Sequence, residues 1–404
     1  MKLRISDIYK VLTLMLLCSQ SSCLGTADID RPVSRQDGIP SGTIREGTDK
    51  AFGRVLLMYF EGYNNLSFSL EQNLEELEQG YVPEKSSKDV LIIYSHTSNS
   101  KYDWETPTRP VIYRLYKHYG RTVRDTLKTY DPSVISVRKE MVTDILSTVR
   151  QKFPADSYGM LVNSHATGWL PVYGNIESMS IGAQYGPNHT AEYNIDVDDF
   201  AEAIPMRLDY IIFDCCLMGG VETTYSLREK AKYIVASPTE VLSDGFDYYK
   251  ISEELLTGPE IDLTSMCRSY YNKHSGGNGA TIALYDCSVM DELADKCAEV
   301  LQGKGEALKA IRPRDVQSYN YSFSYHYDFR DIVSKISTQE QCARIDEILS
   351  RLVIYKNATP IFITTSIDPD RYSGLSMFLP QDSWADLNDS YKRTQWNRKT
   401  HILE

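Results

Sequence analysis

Hydrophobic residues in the first part of the chain form short continuous runs, separated by segments in which they recur every three or four positions. The continuous runs predict strands at Val55–Phe60, Val90–Ser95, Val111–Tyr116, Tyr158–Ser164, Tyr210–Cys215 and Tyr233–Ala236. The helical periodicity predicts helices at Ser67–Gln79, Ile135–Phe153, Val197–Ile204 and Gly220–Lys230. Strands that are apolar throughout are typical of a sheet covered by helices on both faces. The pattern therefore predicts a three-layer α/β/α sandwich with a mostly parallel central sheet.

The pattern changes after about residue 260, where long helical stretches dominate. It predicts helices at Asp262–Lys273, Val289–Ile311 and Gln339–Lys356, and strand-like runs at Ala280–Asp286, Pro360–Thr365 and Leu375–Leu379. These strands either complete the sheet or form a hairpin beside it. We therefore divide the folded chain into a core at residues 51–260 and a helix-rich C-terminal region with additional strands at 261–404, which we expect to buttress the sheet.

The N-terminus predicts export. An apolar run, Val11–Cys18, follows several basic residues and is too short to span a bilayer, as in a signal peptide. Small residues directly before Cys23 resemble a bacterial lipoprotein cleavage box, so we predict a signal peptide at 1–22 and a lipid on Cys23 that holds the protein at the outer face of the membrane. The alternative is ordinary secretion, with Cys23 as a stray thiol. The polar composition of residues 23–50 predicts a flexible tether.

Composition narrows the function. The chain has 404 residues, 42% of them apolar and 24% charged, which excludes a wholly disordered or multi-span membrane protein. A net charge of −12 argues against a nucleic-acid-coating protein, which needs a basic face. No C-x-x-C pair and no His cluster at zinc-ligand spacing accompanies the cysteines, so we expect no zinc site and no disulfide framework. We expect no cofactor, and the sequence leaves a calcium requirement open.

Side chains with nucleophilic and basic chemistry follow two of the predicted strands. His165 follows the strand at Tyr158–Ser164, and Cys216 follows the strand at Tyr210–Cys215. Parallel neighbours would bring both side chains to the same edge of the sheet, where α/β proteins carry their active sites. An imidazole can take the proton of a thiol, and nearby backbone N–H groups can stabilise an oxyanion. The two strand ends therefore predict a cysteine–histidine catalytic site.

Segments between about residues 55 and 250 resemble, in order, the motifs of the clostripain family of bacterial cysteine peptidases, which have the caspase–haemoglobinase fold. They read Tyr59-Phe-Glu-Gly-Tyr-Asn64-Asn65-Leu66, His165-Ala-Thr-Gly168-Trp169, Asp214-Cys-Cys216-Leu-Met-Gly219, and Ala236-Ser237 followed by Gly245-Phe-Asp-Tyr248. Each motif is weak by itself, whereas the ordered set is specific.

The resemblance implies a role for several residues. Cys216 matches the family's nucleophile and His165 its general base and acid. The backbone N–H groups of Ala166 and Cys216 match the oxyanion hole. Asp214 matches the acid of the specificity pocket, which implies cleavage after Arg or Lys because a buried carboxylate pairs with a cation. Asp244 is a second candidate for that pocket. The expected partners are thus protein or peptide substrates with Arg or Lys before the cut bond.

The sequence also departs from the family pattern. Ala166 stands where the family has Gly, and Cys215 replaces an Ala beside the nucleophile; we expect Cys215 to pack inward while Cys216 faces the site. No Lys or Arg occurs between His165 and Arg207, so the family's maturation cut in that segment is not expected.

These departures keep a second interpretation open, a catalytically degenerate clostripain-like lipoprotein that acts in binding. A doubly wound nucleotide enzyme is a third interpretation, and the lack of a G-x-G-x-x-G or P-loop sequence argues against it.

Overall fold

Strands and helices alternate through the part of the chain that the structure describes. The structure is a computed structural model and describes residues 51–404 apart from 101–102, 172–178, 187–190 and 320–324. The predicted signal peptide at 1–22, the predicted lipid site at Cys23 and nearly all of the predicted tether therefore lie outside the described residues.

The strands are β1 Phe52–Glu61, β2 Val90–His96, β3 Ser98–Ser100, β4 Asp103–Pro107, β5 Val111–His118, β6 Arg121–Thr129, β7 Ala155–Asn163, β8 Ala166–Pro171, β9 Met179–Tyr185, β10 Glu192–Ile195, β11 Leu208–Asp214, β12 Ala231–Ala236, β13 Thr281–Asp286, β14 Tyr327–Asp328, β15 Val353–Ala358, β16 Ile361–Phe362, β17 Thr365–Ser366 and β18 Ser376–Met377. The α-helices are α1 Ser67–Gln79, α2 Lys139–Lys152, α3 Val197–Ala203, α4 Val221–Leu227, α5 Tyr248–Leu256, α6 Leu263–His274, α7 Met290–Leu301, α8 Gly305–Lys309, α9 Phe329–Ile336, α10 Gln339–Leu352, α11 Ala385–Lys392 and α12 Gln395–Thr400.

A large central sheet organises the fold. Within the described residues it has nine strands in the order β15-β13-β12-β11-β7-β1-β2-β5-β6. The strands from β12 to β2 are parallel, and antiparallel strands flank them on both sides. The boundary placed at residue 260 stays a prediction, but β13 and β15, which come after it, extend the same sheet.

Strand β1 shows why the sheet is covered on both faces. Its residues Val55, Leu57 and Tyr59 belong to one buried cluster, which also takes in apolar residues of α2. The alternate residues Leu56, Met58 and Phe60 belong to a second cluster, which takes in α1. Successive side chains of a strand point to opposite faces, so a continuous apolar run requires helices on both sides. The predicted three-layer α/β/α sandwich is confirmed.

Two predicted helices differ from those observed. The predicted helix at Val289–Ile311 divides into α7 and α8, because Gly303 adopts a positive φ of 70° that ends helical geometry. The predicted helix at Gln339–Lys356 ends at Leu352, and the residues after it form β15. Helical periodicity continues into β15 by chance, whereas its Val-Ile-Tyr start favours a strand that pairs with β13.

The sequence pattern missed the edge strand β6. Its residues are largely polar and exposed, so no continuous apolar run marks it, and charged residues are usual on an open sheet edge. The two predicted strand-like runs near the C-terminus shorten to two-residue strands. No helix within the described residues combines the length and the hydrophobicity needed to cross a bilayer.

Candidate active site

The strands that carry His165 and Cys216 are direct neighbours. Strands β7 and β11 run parallel, and Asn163 pairs with Asp214 in their register. His165 and Cys216 each lie two residues beyond this pair. The expectation that both strands end at the same edge of the sheet is therefore confirmed, and the alignment places the two residues at equivalent positions there.

The two loops that follow these strands touch each other. Gly168, three residues after His165, has a φ of 64°, and a Cβ on it would lie 2.6 Å from the carbonyl oxygen of Leu217. Only glycine permits this approach, which explains a glycine at this position. Leu217, directly after Cys216, has a left-handed φ of 62°, a costly conformation for a branched residue. The Cys216 turn is therefore held in place against the His165 loop.

The thiol of Cys216 is half-buried and is bonded to backbone. Its Sγ accepts a hydrogen bond from the Val241 N–H at 3.3 Å and lies 3.7 Å from the Val241 carbonyl oxygen, to which it donates. Burial raises the pKa of this thiol to about 12, although the bond from Val241 opposes the shift. At neutral pH the side chain is thus a neutral thiol.

The imidazole of His165 is oriented by an asparagine. Its Nε2 lies 2.5 Å from Oδ1 of Asn65. With an amide oxygen as acceptor, Nε2 carries the proton and Nδ1 is the basic nitrogen of the ring. The turn that presents Asn65 is fixed by its neighbour Asn64, whose Nδ2 donates to the Ala183 carbonyl at 2.6 Å. Burial lowers the pKa of His165 to about 4, so the ring is neutral at neutral pH.

A neutral thiol and a neutral imidazole at the same sheet edge predict a steep pH dependence of alkylation. We expect the rate at which iodoacetamide modifies Cys216 in the free protein to rise about tenfold per pH unit between pH 7 and 10, because the thiolate fraction does so below the thiol pKa. Mass spectrometry of the Cys216 peptide over time gives the rate. A plateau below pH 8 would contradict this prediction, since it would show a thiolate already paired with an imidazolium.

Asp214 is 4% exposed and lies in a network of hydrogen bonds. Its Oδ2 accepts from Asn163 Nδ2 at 3.0 Å, from the Tyr248 hydroxyl at 2.5 Å, and from the Phe246 N–H at 3.4 Å. Burial raises its pKa to about 6, and the bond from Tyr248 opposes the shift. The carboxylate is therefore mostly ionised at neutral pH, beside Cys216.

Asp244 is placed differently. Its side chain is 63% exposed, and its Oδ2 lies 3.9 Å from Nδ1 of the buried His274. The backbone around Asp244 is held from α6: Lys273 donates to the Asp244 carbonyl at 2.7 Å, and His274 Nε2 contacts the Gly245 carbonyl at 2.8 Å. The structure therefore separates a buried acid, Asp214, from an exposed one, whose part in a pocket stays a prediction.

The two residues that depart from the motif pattern, Cys215 and Ala166, are both buried. Cys215 is fully buried in the core, and its Sγ donates to the Val162 carbonyl at 3.3 Å, so the expectation that it packs inward is confirmed. Ala166, 6% exposed, begins β8 and pairs with Ile181 of β9. Its role in an oxyanion hole stays a prediction.

Sequence reasoning named Asn65 and Tyr248 only as parts of motifs and gave no role to either. A polar residue just after a strand is the signal that could have found Asn65, because active-site groups collect at strand ends. Tyr248 begins α5, well after β12, and no such signal marks it. The described cysteines, among them Cys216, form no disulfide with one another. No group of three or more His, Cys, Asp or Glu side chains in the described residues is placed to hold a metal ion.

Comparison with known proteins decides the family. The model of the clostripain family matches residues 58–399. The chain belongs to the clostripain family. The resemblance found in the sequence motifs is thereby confirmed.

Individual relatives agree with this assignment. Clostripain from Hathewaya histolytica is 25% identical over 238 residues, which cover 52% of this chain and 44% of that protein. The chain thus matches less than half the length of this curated relative. An inactive zymogen C11 protease from Parabacteroides distasonis, solved by X-ray crystallography, is 30% identical, with a TM-score of 0.75 over 88% of this chain and 99% of the other. A secreted C11 cysteine protease from Bacteroides thetaiotaomicron is 26% identical, with a TM-score of 0.71 over 87% and 99% of the two chains. The fold predicted from the resemblance is confirmed.

Proposed function

We propose that this clostripain-family chain is a cysteine endopeptidase that cleaves peptide bonds after Arg or Lys. The observation that carries the proposal is the register of β7 and β11, which places His165 and Cys216 at equivalent positions of one sheet edge. The contact of Gly168 with the Leu217 carbonyl supports it, because this contact joins the two catalytic loops. Clostripain and the solved C11 proteases add support from similarity.

The proposed mechanism uses His165 to move protons and Cys216 to attack. The thiol gives its proton to the imidazole as sulfur forms a bond to the scissile carbonyl carbon. The carbon–nitrogen bond then breaks, His165 protonates the departing amine, and an acyl-enzyme remains. Water gives a proton to His165 and attacks the thioester, which releases the new carboxyl end and restores the thiol. The backbone N–H groups of Ala166 and Cys216 are proposed to stabilise the oxyanion.

We assign the preference for Arg or Lys to Asp214. A buried carboxylate beside the nucleophile has little solvent to stabilise it, so a guanidinium or ammonium group from the substrate is a favourable partner. Its hydrogen bonds to Asn163 and Tyr248 fix the orientation of the carboxylate. Asp244 is proposed as a second, weaker contributor because its exposed charge is screened by water.

We further propose that the protein is exported and held at the outer face of a bacterial membrane by a lipid on Cys23. The basic and apolar composition of residues 1–22 supports export, and a solved relative is described as secreted. No cofactor is needed by the proposed chemistry, since nucleophile, base and oxyanion donors all come from the chain.

A panel of fluorogenic peptides tests the proposed function. Purified residues 24–404 are incubated with peptides that differ only in the residue before the cleaved bond, which is Arg, Lys, Asp or Ala. We expect turnover of the Arg and Lys peptides at least about 100-fold above the Asp and Ala peptides, because only the cations pair with a buried carboxylate. Turnover of none of the four, or of the Asp peptide first, would contradict the proposal.

A further inference from the structure

The segment after β12 lies along the turn that carries Cys216. The Leu217 N–H donates to the Thr239 carbonyl at 2.8 Å, and the Gly219 N–H donates to the Ser237 carbonyl at 2.9 Å. Together with the contacts between Val241 and the Cys216 thiol, these bonds seat residues 237–241 directly against the nucleophile. Glu240 lies within this segment, between Thr239 and Val241.

Buried hydroxyl groups hold this segment in place. The Ser237 and Thr239 hydroxyls lie 2.7 and 2.8 Å from the Thr281 hydroxyl of β13. Thr239 Oγ1 also donates to the carbonyl of Glu240 at 3.0 Å. Because residues on both sides of Glu240 are bonded, the fold holds the backbone at Glu240 against the Cys216 turn.

The Glu240 carboxylate has an unused hydrogen-bonding position. The residue is 7% exposed, and its Oε2 is buried without a hydrogen-bond partner within the part of the chain that the structure describes. Burial raises the pKa of this carboxyl to about 7. Its charge also acts on Cys216, whose pKa it raises further beyond the effect of burial. Such an unpartnered buried acid is available to accept from a donor, and the segment that carries it is seated against the nucleophile.

We infer that Glu240 is a further acidic specificity residue, whose carboxylate binds the cationic side chain of the substrate beside Cys216. The inference rests on the proposed function, since it concerns the same substrates. The guanidinium or ammonium group of the substrate donates a hydrogen bond to the unsatisfied Oε2 of Glu240. A planar guanidinium offers several donors, so one group can contact Glu240 and Asp214 together.

Binding of the cation then has a second effect, on the nucleophile. In the free protein the negative charge of Glu240 disfavours the thiolate of Cys216, because like charges in a poorly solvated site repel. A substrate cation neutralises this charge and so favours loss of the thiol proton when the scissile bond is in place. Glu240 thus couples recognition of Arg or Lys to activation of the thiol, and a neutral substrate receives no such activation.

The test uses Glu240→Gln, which keeps the shape and removes the charge. Two rates are measured at pH 8.5, where Glu240 is ionised: alkylation of Cys216 by iodoacetamide without substrate, followed by mass spectrometry, and kcat/KM for matched Arg and citrulline peptides. We expect alkylation to become at least about threefold faster, because removal of a nearby negative charge favours the thiolate. We expect the Arg-to-citrulline ratio to fall at least about tenfold, because a charged partner is lost. A general loss of structure would also speed alkylation, because it exposes the thiol, but it would lower hydrolysis of both peptides alike. An unchanged melting temperature together with a lower Arg-to-citrulline ratio therefore identifies the specific effect.

Two further variants act as controls. Glu222→Gln neutralises another buried acid, in the first turn of α4, whose pKa is also raised to about 7 and whose carboxylate accepts from the Phe378 N–H. We expect neither rate to change by more than about twofold, since Glu222 lies outside the segment 237–241 that contacts the thiol. Glu240→Asp keeps the charge, so alkylation stays slow. Either an unchanged alkylation rate or an unchanged Arg-to-citrulline ratio in Glu240→Gln would overturn the inference. A wild-type protein that cleaves neither peptide would instead contradict the proposed function itself.

Discussion

Replacing Cys216 by Ala is expected to reduce hydrolysis of an Arg peptide by at least about 1,000-fold, the usual cost of removing a catalytic nucleophile. The reason is that the neighbouring cysteine cannot replace Cys216 as the nucleophile. The neighbouring thiol of Cys215 faces the core, where it bonds to the Val162 carbonyl, and burial raises its pKa well above the ordinary value. Initial rates on the Arg peptide, with melting temperature as a check on folding, give the result.

The matched control is Cys215→Ala, which removes the adjacent sulfur on the other face of the strand. We expect activity within about threefold of wild type and a loss of stability of about 1 kcal/mol, because only a small buried group is deleted. If Cys215→Ala abolished turnover and Cys216→Ala did not, the assignment of the nucleophile would be wrong.

The sequence predicts this part of the site because it depends on local patterns. Apolar runs mark β7 and β11, a polar residue marks where each strand ends, and parallel strands align their ends at one edge of the sheet. These patterns make His165 and Cys216 candidates, and the ordered family motifs select them as the catalytic pair. The family motifs add Asp214, but no local pattern distinguishes this buried acid from the exposed Asp244.

Other features escape the sequence because they depend on contacts between distant segments. The bond from Asn65 to His165 joins residues one hundred positions apart. Seating of Val241 and Glu240 against Cys216 requires the segment after β12 to turn back toward β11, and nothing in its composition indicates this. Strand β15 was missed for a related reason, since its strand character depends on pairing with β13. Predictions from one sequence therefore find side chains at strand ends more readily than the groups that surround them.

The second large effect is expected from Asp214→Asn. The change keeps the shape of a buried side chain and removes its charge, so we expect kcat/KM for an Arg peptide to fall at least about 100-fold, consistent with the ~3–5 kcal/mol lost when one partner of a buried ion pair is removed. Hydrolysis of a matched citrulline peptide should change much less, because that substrate brings no charge to pair. The ratio of the two kcat/KM values measures the effect independently of any general loss of activity.

The pH dependence of the preference for Arg over citrulline tests the role of Asp214 independently. Because burial raises the pKa of Asp214 to about 6 and that of Glu240 to about 7, the wild-type preference for Arg over citrulline should be full above about pH 8 and decline on acidification as the two carboxylates are protonated. In Asp214→Asn the part of the decline centred near pH 6 should disappear, and only the part due to Glu240, near pH 7, should remain. A preference that rises on acidification would contradict the assignment.

Asp244→Asn separates the two acids that the sequence proposed for the pocket. Its carboxylate is 63% exposed, and exposed ion pairs contribute ~0–1 kcal/mol, so we expect the Arg-to-citrulline ratio to change by less than about fivefold. The backbone bonds from Lys273 and His274 to residues 244 and 245 do not involve this side chain, so the loop should keep its position over Asp214. If Asp244→Asn reduced the ratio more than Asp214→Asn, the substrate's cation would bind in the exposed loop, and the buried carboxylate would serve only to hold Tyr248 and Asn163 in place.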